Sequence, residues 1–406
     1  MKLGILTFHR SINYGAFMQC YALSHRLQQD FPSVQVEVID YTSPKALAAE
    51  ENKSKNATDP VKKAAYENRR ILFSKCCEKL PLSSKRIESE NLEELWDFLN
   101  DEYDIVVVGS DAVFNWTVRG FPNAYFLKGY HGAKFSYAAS VHGLDFRKMT
   151  QEQKSYLADA FGEFSYLGVR DVATEQLLHW VDPALQAHHN CDPTLLLDIS
   201  KLPCDREKLV QKLKDKGIQA EQPIVAIMGG EYTIGKELQK LLKGKAQTIA
   251  LYEPNGYADA YMDNLDPFEW ATVFSQCRGT VTHFFHGTLL SLANGIPPMP
   301  TEPAQGFAAS YTSKIRDVLT RLELLRYYHS VPMGRRSKFL RKLGLPTDKK
   351  MWKGIAADLQ DVFGRREEVY SDIRSRVEKE AESYLDFKAA LADCIKQLET
   401  KEKHNG

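Results

Sequence analysis

The sequence lacks the features that would mark a membrane or secreted protein. No apolar run approaches the roughly 20 residues that cross a bilayer. The apolar stretch at residues 3–8 is too short for a secretory signal, and no small-residue cleavage site follows it. The seven cysteines include the adjacent pair Cys76 and Cys77 but no C-x-x-C unit, a set that is typical of reduced thiols in a large chain. We therefore expect a cytoplasmic protein with at most peripheral membrane association.

An excess of charge of one sign is also missing. The 406 residues carry 53 Lys and Arg against 53 Asp and Glu, a formal net charge of +0. This balance removes a global attraction to nucleic acid, although a local basic pocket remains compatible with it. The glycine loops SINYGA (11–16) and GSDAVFN (109–115) match neither G-x-x-x-x-G-K-[ST] nor G-x-G-x-x-G. We expect no nucleic-acid partner, no nucleoside-triphosphate loop and no dinucleotide fingerprint.

Metal-ligand patterns are sparse as well. The stretch HHNC at 188–191 has ligand-type residues but no second cluster, which favours an exposed turn over a metal site. His283 and His286 are three residues apart at a predicted strand end, where two imidazoles converge poorly and no third ligand is evident. The sequence therefore predicts neither a metal nor a cofactor.

What the sequence does contain is a repeated alternation of strand and helix patterns. An apolar strand, an amphipathic helix and an alternating strand within the first 41 residues form a βαβ unit, and more buried-strand patterns follow. Such alternation predicts a parallel sheet with helices on both faces. The lysine-rich, weakly periodic residues 43–90 predict a mobile insertion with some helix. The predicted strands of this first series are 3–8, 34–41, 104–109, 134–140 and 166–171.

A second α/β series follows a boundary near 195–222. Its predicted strands are 223–230, 248–254 and 279–285, and Asp266 with Pro267 begins one of its helices as N-cap and first residue. We expect domains at 1–200 and 201–355 and a helical tail at 356–406. The tail pattern fits one long amphipathic helix packed on the body, with a partner-binding helix as the alternative. Two α/β domains leave a cleft beyond the carboxyl ends of their strands, where ligands bind.

His286 lies where a predicted strand gives way to a helix. Backbone N–H groups at this helix start, including that of Gly287, would face an anion, with Thr288 as a capping residue. A core histidine is the alternative. His283 shares one strand face with Phe285 if the strand continues, and a structural role is the simpler reading for it.

Two basic residues and two loops supply further candidates. Arg170 at a strand end can bind a carboxylate or phosphate with two bonds, although a surface pair with Asp171 would explain it as well. Lys314 or Arg316 at a helix start can contact phosphate or simply face solvent. If the predicted strands are correct, the loops that follow them direct four polar residues into the cleft: Asn13, Tyr14, Ser110 and Asp111. The alternative is that both loops are ordinary turns.

Several separate stretches carry a family resemblance when they are taken together. They are GILTFHRSINYGAFMQCYALSHRL, DIVVVGSDAVFN, KFSYAASVHG, GVRD, CDPTLLL, FEWATVFSQCRGTVTHFFHGTLLSLANGIP and SKIRDVL. In this order, from residue 4 to about residue 320, they resemble the polysaccharide pyruvyl transferase family, and the ordered set is far more specific than any single stretch.

The resemblance implies a GT-B-like pair of Rossmann-like domains and a transfer of pyruvate from phosphoenolpyruvate onto two sugar hydroxyls. The product is a cyclic ketal, and the acceptor is a sugar or a lipid-linked oligosaccharide; self-association is left open. The resemblance places the family histidine at His286, the strand-end arginine at Arg170, a loop histidine at His142 and a later basic residue at Lys314. We expect His286 to act as acid and base and the cations to hold the donor.

One departure from the family pattern concerns the donor. Family members commonly read T-D-[RS]-F-H-G-T, where this chain has His283 at the acidic position and Phe284 at the next one. The missing charge must then come from Arg170, Lys314 or His283. Two other functions remain in view: a nucleotide-sugar glycosyltransferase, for which Glu302 would bind a ribose, and a glycan- or anion-binding relative without activity.

Overall fold

The first half of the chain forms one parallel sheet. The computed structural model describes residues 1–219, 221–229, 235–303, 313–331 and 349–405. Every strand of this sheet is parallel to its neighbours, as the predicted βα alternation requires. In spatial order the strands are β2 (Gln35–Val38), β1 (Lys2–Leu6), β5 (Ile105–Val108), β6 (Ala133–Ala139), β7 (Tyr166–Val169) and β8 (Ala187–His189).

Helices connect these strands, so the central ones are covered on both faces. All four residues of β5 are buried, which explains their continuous apolar run. Asp171 caps the helix after β7 and accepts the N–H of Thr174. The helices are α1 (Tyr14–Asp30), α4 (Leu92–Glu102), α5 (Trp116–Arg119), α6 (Gln151–Gly162) and α7 (Val172–Val181).

The insertion after β2 is folded and partly buried. It contains β3 (Tyr41–Thr42), α2 (Pro44–Lys55), α3 (Pro60–Cys77) and β4 (Ile87–Glu88). The predicted helix content is confirmed, but the expectation of mobility is wrong for α3. Its Phe73 is buried, with its ring 5.4 Å from that of Phe17 in α1. The weak periodicity misled because α3 packs on the helices α1, α2 and α10, and no local pattern signals such contacts.

The second half forms another parallel sheet. Asp266 caps α10 in a capping box with Glu269, and Pro267 is the first residue of that helix, as predicted. The strands in spatial order are β11 (Ala260–Met262), β10 (Gln247–Leu251), β9 (Ile224–Met228), β12 (Gly279–Thr282), β13 (Pro298–Pro303) and β14 (His329–Val331). The helices are α8 (Arg206–Asp215), α9 (Lys236–Leu242), α10 (Pro267–Val273), α11 (Phe285–Ala293) and α12 (Lys314–Arg321).

One local prediction in this half is wrong, and the strands β11, β13 and β14 were not predicted. Strand β12 ends at Thr282 and α11 begins at Phe285, so His283 and Phe285 do not alternate along a strand. Strand β13 escaped prediction because its prolines remove N–H groups that a sheet normally uses. Its parallel register nevertheless pairs Thr280 with Pro298.

The HHNC stretch is also not an exposed turn. Its two histidines belong to β8, and the following Asn190 and Cys191 are fully buried. The ring of His188 stacks on Tyr166 at 4.4 Å, and His189 Nε2 lies 2.9 Å from Glu380 Oε1. Among the described residues no group of three or more potential ligands is positioned to hold a metal.

The tail consists of three helices, α13 (Lys349–Gly364), α14 (Arg366–Ala381) and α15 (Tyr384–Asn405), instead of one. Four residues of α15 are buried in one cluster with residues of the first sheet: Tyr384, Phe387, Leu391 and Ile395. The predicted long C-terminal helix is therefore present as α15 and packs on the body. No helix within the described ranges has the length and apolar character to cross a bilayer.

The two sheets are held together by helix α1. Rings of α1 contact Phe268 of α10, from Phe17 at 5.4 Å and from Tyr21 at 4.9 Å. The predicted fold class, two Rossmann-like α/β units with parallel sheets, is confirmed. This contact brings loops of both sheets to one place.

Candidate active site

Arg170 is the centre of a charged group at the carboxyl ends of the strands of the first sheet. It follows β7 and is 1% exposed, so it is not a surface residue. Its Nη1 lies 2.7 Å from Asp192 Oδ2, and its Nη2 lies 3.8 Å from Asp111 Oδ1. Burial raises the pKa of both carboxyls, but the charge of Arg170 outweighs this effect and holds them below their usual range. Arg170 is therefore a buried arginine with two ionised partners.

His286 reaches the same group from the second sheet. It lies in the first turn of α11, and Gly15 of α1 packs against its ring. A Cβ at position 15 would lie 2.1 Å from His286 Cγ, so this approach requires glycine. Burial and the nearby cations lower the pKa of His286 to about 4, against the opposing pull of Asp192 and Asp111. The imidazole is therefore neutral at pH 7.

Lys314 completes the charged group from α12. Its Nζ lies 4.7 Å from the ring centre of Phe285, and Arg170 Cζ lies at the same distance from that ring. Burial, followed by repulsion from Arg170, lowers the pKa of Lys314 to about 8. The ammonium is still mostly protonated at pH 7. Arg316, the other candidate on this helix, is exposed. We call Asp111, Arg170, Asp192, His286 and Lys314 the polar cluster.

The polar cluster contains buried nitrogens without hydrogen-bond partners. Within the described residues, Arg170 Nε and Nη2 and His286 Nδ1 are buried and make no hydrogen bond. The N–H groups in the first turn of α11 likewise lack acceptors within their own helix. Buried polar groups in this state are typical of a site that a ligand completes.

His142 and Ser110 border the polar cluster. Burial, and then the charges of Lys314 and Arg170, lower the pKa of His142 to about 4. Ser110 is buried, and its hydroxyl donates to the Ala138 carbonyl at 3.1 Å. Both residues therefore lie next to the cations, although Ser110 has a structural partner.

The structure places the remaining predicted residues in structural contacts. Asn13 caps α1, and the Tyr14 hydroxyl donates to the Leu265 carbonyl at 2.7 Å. Thr288 is not the cap of α11: Phe284 holds that position, and the Thr288 hydroxyl lies 3.3 Å from the Phe284 carbonyl. Gly287 packs where a Cβ would lie 2.6 Å from Met228 Sδ.

Phe284 belongs to a neighbouring group of rings. Its ring lies 5.3 Å from Tyr252, and Tyr14 lies 6.0 Å from Tyr252 and 5.0 Å from Trp270. Arg69 of α3 lies over Tyr252, with Cζ 4.0 Å from the ring centre, and donates to the Tyr252 carbonyl. We call Tyr14, Arg69, Tyr252, Trp270 and Phe284 the aromatic cluster.

The residue before Phe284 does not replace the missing family charge. The His283 ring lies 4.1 Å from the Phe284 ring, and burial lowers the pKa of His283 below its ordinary value. The imidazole of His283 is therefore neutral at pH 7. The cations around this turn are Arg170 and Lys314 beside Phe285, and Arg69 over Tyr252.

Three residues of the site escaped the sequence prediction. Asp192 lies in the stretch CDPTLLL, which carries the family resemblance, yet only the fold shows that it pairs with Arg170. Phe285 looks like a core residue, and the cations beside it come from distant positions. Gly15 contacts His286 across the two sheets. No local pattern signals these long-range contacts.

These features first define a class: a protein of two parallel α/β units in the GT-B-like arrangement, with a charged site between them. The chain belongs to the polysaccharide pyruvyl transferase family, whose model matches residues 13–302. A comparison with curated proteins gave no match.

Solved structures share the fold at low sequence identity. UDP-GlcNAc 2-epimerase from Neisseria meningitidis, bound to UDP-GlcNAc, has a TM-score of 0.52 and 12% identity, covering 95% of this chain and 100% of that chain. Anabaena Alr3699/HepE in complex with UDP has a TM-score of 0.50 and 9% identity, covering 98% and 100%. At these identities the likeness concerns the fold alone, and it confirms the GT-B-like arrangement.

Proposed function

We propose that this protein transfers pyruvate from phosphoenolpyruvate onto two hydroxyls of a sugar in a polysaccharide or its precursor. The observation that carries the proposal is the set of buried donors without partners around Arg170 and His286. Phosphoenolpyruvate has a carboxylate and a phosphate, and both anions need such donors. Family membership supplies the reaction class.

The donor is held by charge and by backbone N–H groups. Arg170 Nε and Nη2 remain for one anion, while Lys314 and the N-terminus of α11 serve the other. Arg170 is balanced by Asp192 and the charge of Lys314 by Asp111, so the helix end and the unbonded N–H groups provide the attraction. This arrangement compensates for the absence of a cation at Phe284.

The reaction then follows a balanced proton path. Protonation of the methylene carbon makes C2 electrophilic, and a sugar hydroxyl attacks C2 and gives up its proton. Loss of phosphate and attack by the second hydroxyl close the ketal, and the proton of the second hydroxyl leaves with the phosphate. His286 serves as acid and base, because the negative charge of a bound donor raises its pKa from the low value of the empty site.

Phosphate release from phosphoenolpyruvate in the presence of sugar acceptors tests the proposal. We expect release with a new ketal in the product, and His286→Ala should lower the rate by about 10²- to 10⁴-fold. His131→Ala is the matched control, because His131 is exposed. Full ketal formation by the His286 variant, or no release with any acceptor, contradicts the proposal.

A nucleotide-sugar glycosyltransferase has weaker support. Its predicted ribose ligand, Glu302, is buried and accepts a hydrogen bond from the Ser313 hydroxyl. The carboxylate thus has a partner already. If the melting temperature rises with a uridine diphosphate sugar but not with phosphoenolpyruvate, the glycosyltransferase replaces our proposal.

A further inference from the structure

A cavity separate from the polar cluster opens at the carboxyl end of β1. Water-sized molecules can occupy about 100 Å³ of it, which is room for several waters or for one small ring. The loop after β1, the strand β3 and the segment before residue 126 form its walls. The residues that matter below are Phe8, Arg10, Thr42, Ser43, Asn123 and Tyr125.

Two of the residues that line the cavity connect it to the polar cluster. Thr7 lines it and donates its hydroxyl to the Ser110 carbonyl at 2.8 Å, next to Asp111. Ser11 lines it too, and the chain runs from there to Gly15, which touches His286. A molecule in the cavity therefore lies on the same side of the first sheet as the polar cluster.

The charge of the cavity is balanced. Arg10 Nε donates to Asp40 Oδ1 at 2.8 Å, and its Nη2 donates to Oδ2 of the same carboxylate. His9 Nε2 also lies 3.0 Å from Asp40 Oδ1. The guanidinium is fixed by its partner, and Glu90 adds a negative charge at the wall. With no surplus positive charge, the cavity does not suit phosphoenolpyruvate, whereas an uncharged ligand can use the remaining N–H groups of Arg10.

The other walls combine hydroxyls with aromatic rings. Thr42 and Ser43 contribute hydroxyl groups, and the Ser43 hydroxyl accepts the N–H of Ala46 but can still donate. The amide of Asn123 is already bonded to the Gly120 carbonyl and the Tyr125 N–H. The rings of Phe8 and Tyr125 lie 5.1 Å apart at 85° to each other. A sugar ring has apolar C–H faces that pack on aromatic rings and hydroxyls that bond to such polar groups. A neutral sugar therefore fits both the charge and the lining.

We infer that this cavity is the subsite for a neutral sugar of the acceptor glycan, which it holds with its chain leading toward Asp111 and His286. The inference rests on the proposed function, since it names where the acceptor of that reaction is bound. Arg10 is then a specificity-determining residue. Asp40 fixes the orientation of its guanidinium, and the N–H groups that Asp40 does not bind select the arrangement of sugar hydroxyls.

Binding of neutral methyl glycosides tests the subsite without turnover. Saturation-transfer NMR with the methyl glycosides of galactose, glucose and mannose should show binding of at least one to the wild-type protein. Ser11→Trp and Ser43→Phe, which fill the cavity from two different segments, should abolish it. Ser375→Trp, on the exposed face of α14, should leave it unchanged. Excess phosphoenolpyruvate should not displace the sugar. The inference is overturned if none of the glycosides binds, if both filling variants still bind them, or if phosphoenolpyruvate displaces the sugar.

A kinetic comparison separates this inference from the proposed function. With an active acceptor, Ser11→Trp should raise the acceptor KM by about tenfold or more and leave the phosphoenolpyruvate KM unchanged. An unchanged acceptor KM in an active variant overturns the subsite and leaves the function standing. Wild-type protein that binds the sugars in a Ser11-dependent way but never releases phosphate keeps the subsite and overturns the function.

Discussion

The polar cluster and the aromatic cluster join the same two sheets side by side, but they are built in opposite ways. In the aromatic cluster the rings pack closely, with Tyr252 5.3 Å from Phe284 and Arg69 Cζ 4.0 Å from Tyr252. In the polar cluster, Arg170 and His286 keep three buried nitrogens without hydrogen-bond partners in the described part of the chain, whereas the aromatic cluster has one, Trp270 Nε1. The chain passes from one cluster to the other between residues 284 and 286.

The contrast separates stability from ligand binding. Aromatic pairs contribute about 0.5–1.5 kcal/mol each beyond the apolar area they bury. A buried donor without a partner costs about 1–3 kcal/mol. A protein retains such a cost where a ligand supplies the missing acceptor. The aromatic cluster therefore fixes the relation between the sheets, and the polar cluster remains ready for an anion.

Arg170→Met should have the largest effect, because it breaks both roles of the polar cluster. We expect kcat/KM for phosphoenolpyruvate to fall by about 10²- to 10³-fold, since donors to the anion are lost. The free energy of unfolding should fall by about 3–5 kcal/mol, because Asp192 is left buried and unpaired. Steady-state kinetics and urea denaturation measure the two effects.

The double variant Arg170→Met with Asp192→Asn separates these effects. It removes the unpaired charge, so most of the lost stability should return while the activity stays low. If the double variant recovers activity as well, Arg170 is only structural and the assignment of the donor site is wrong.

Lys314 should give the polar cluster a pH dependence. Its pKa of about 8 means that it loses its charge in the alkaline range, amid the charges of Arg170, Asp111, Asp171 and Asp192. Since kcat/KM reports the free enzyme, it should fall by up to about tenfold for each pH unit above 8. Lys314→Arg keeps the charge and should move this decline to higher pH. An identical profile in the arginine variant contradicts the role of Lys314.

The same lysine affects stability with a defined sign. The pKa of Lys314 is about 8 in the folded protein and ordinarily 10.5. Between these values the unfolded chain binds the proton and the folded protein does not, so this group makes stability rise with pH there. Lys314→Met should remove that contribution, which denaturation at several pH values would detect.

The elements of the fold that could be predicted from the sequence are those with strong local patterns. The buried strand at 105–108 and the cap Asp266 were evident, because apolar runs and capping chemistry are local signals. Strand β13 was missed because three of its six residues are prolines. The packing of α3 was missed because its partners lie on other helices far away in the sequence.

The site was predictable only where one residue carried its own signal. His286 and Arg170 stand at strand-to-helix turns, and both turns reach the polar cluster. The pairing of Arg170 with Asp192, the approach of Gly15 to His286 and the place of Phe285 between two cations arise from the tertiary fold. A sequence pattern does not fix such distances, so these contacts needed the structure.

Phe284→Arg should have the smallest effect and sharpens the comparison most directly, since it puts a cation of the family type at the border of the two clusters. The guanidinium can stack on Tyr252 in place of the lost ring, so we expect a loss of only about 1 kcal/mol in stability. One added charge near the N-terminus of α11 should lower the phosphoenolpyruvate KM by about three- to tenfold. Phe284→Leu is the control: it removes the ring without adding charge and should leave KM unchanged. If the arginine variant has an unchanged or higher KM, the donor lies away from this turn, and Arg170 and Lys314 hold it without any contribution from position 284.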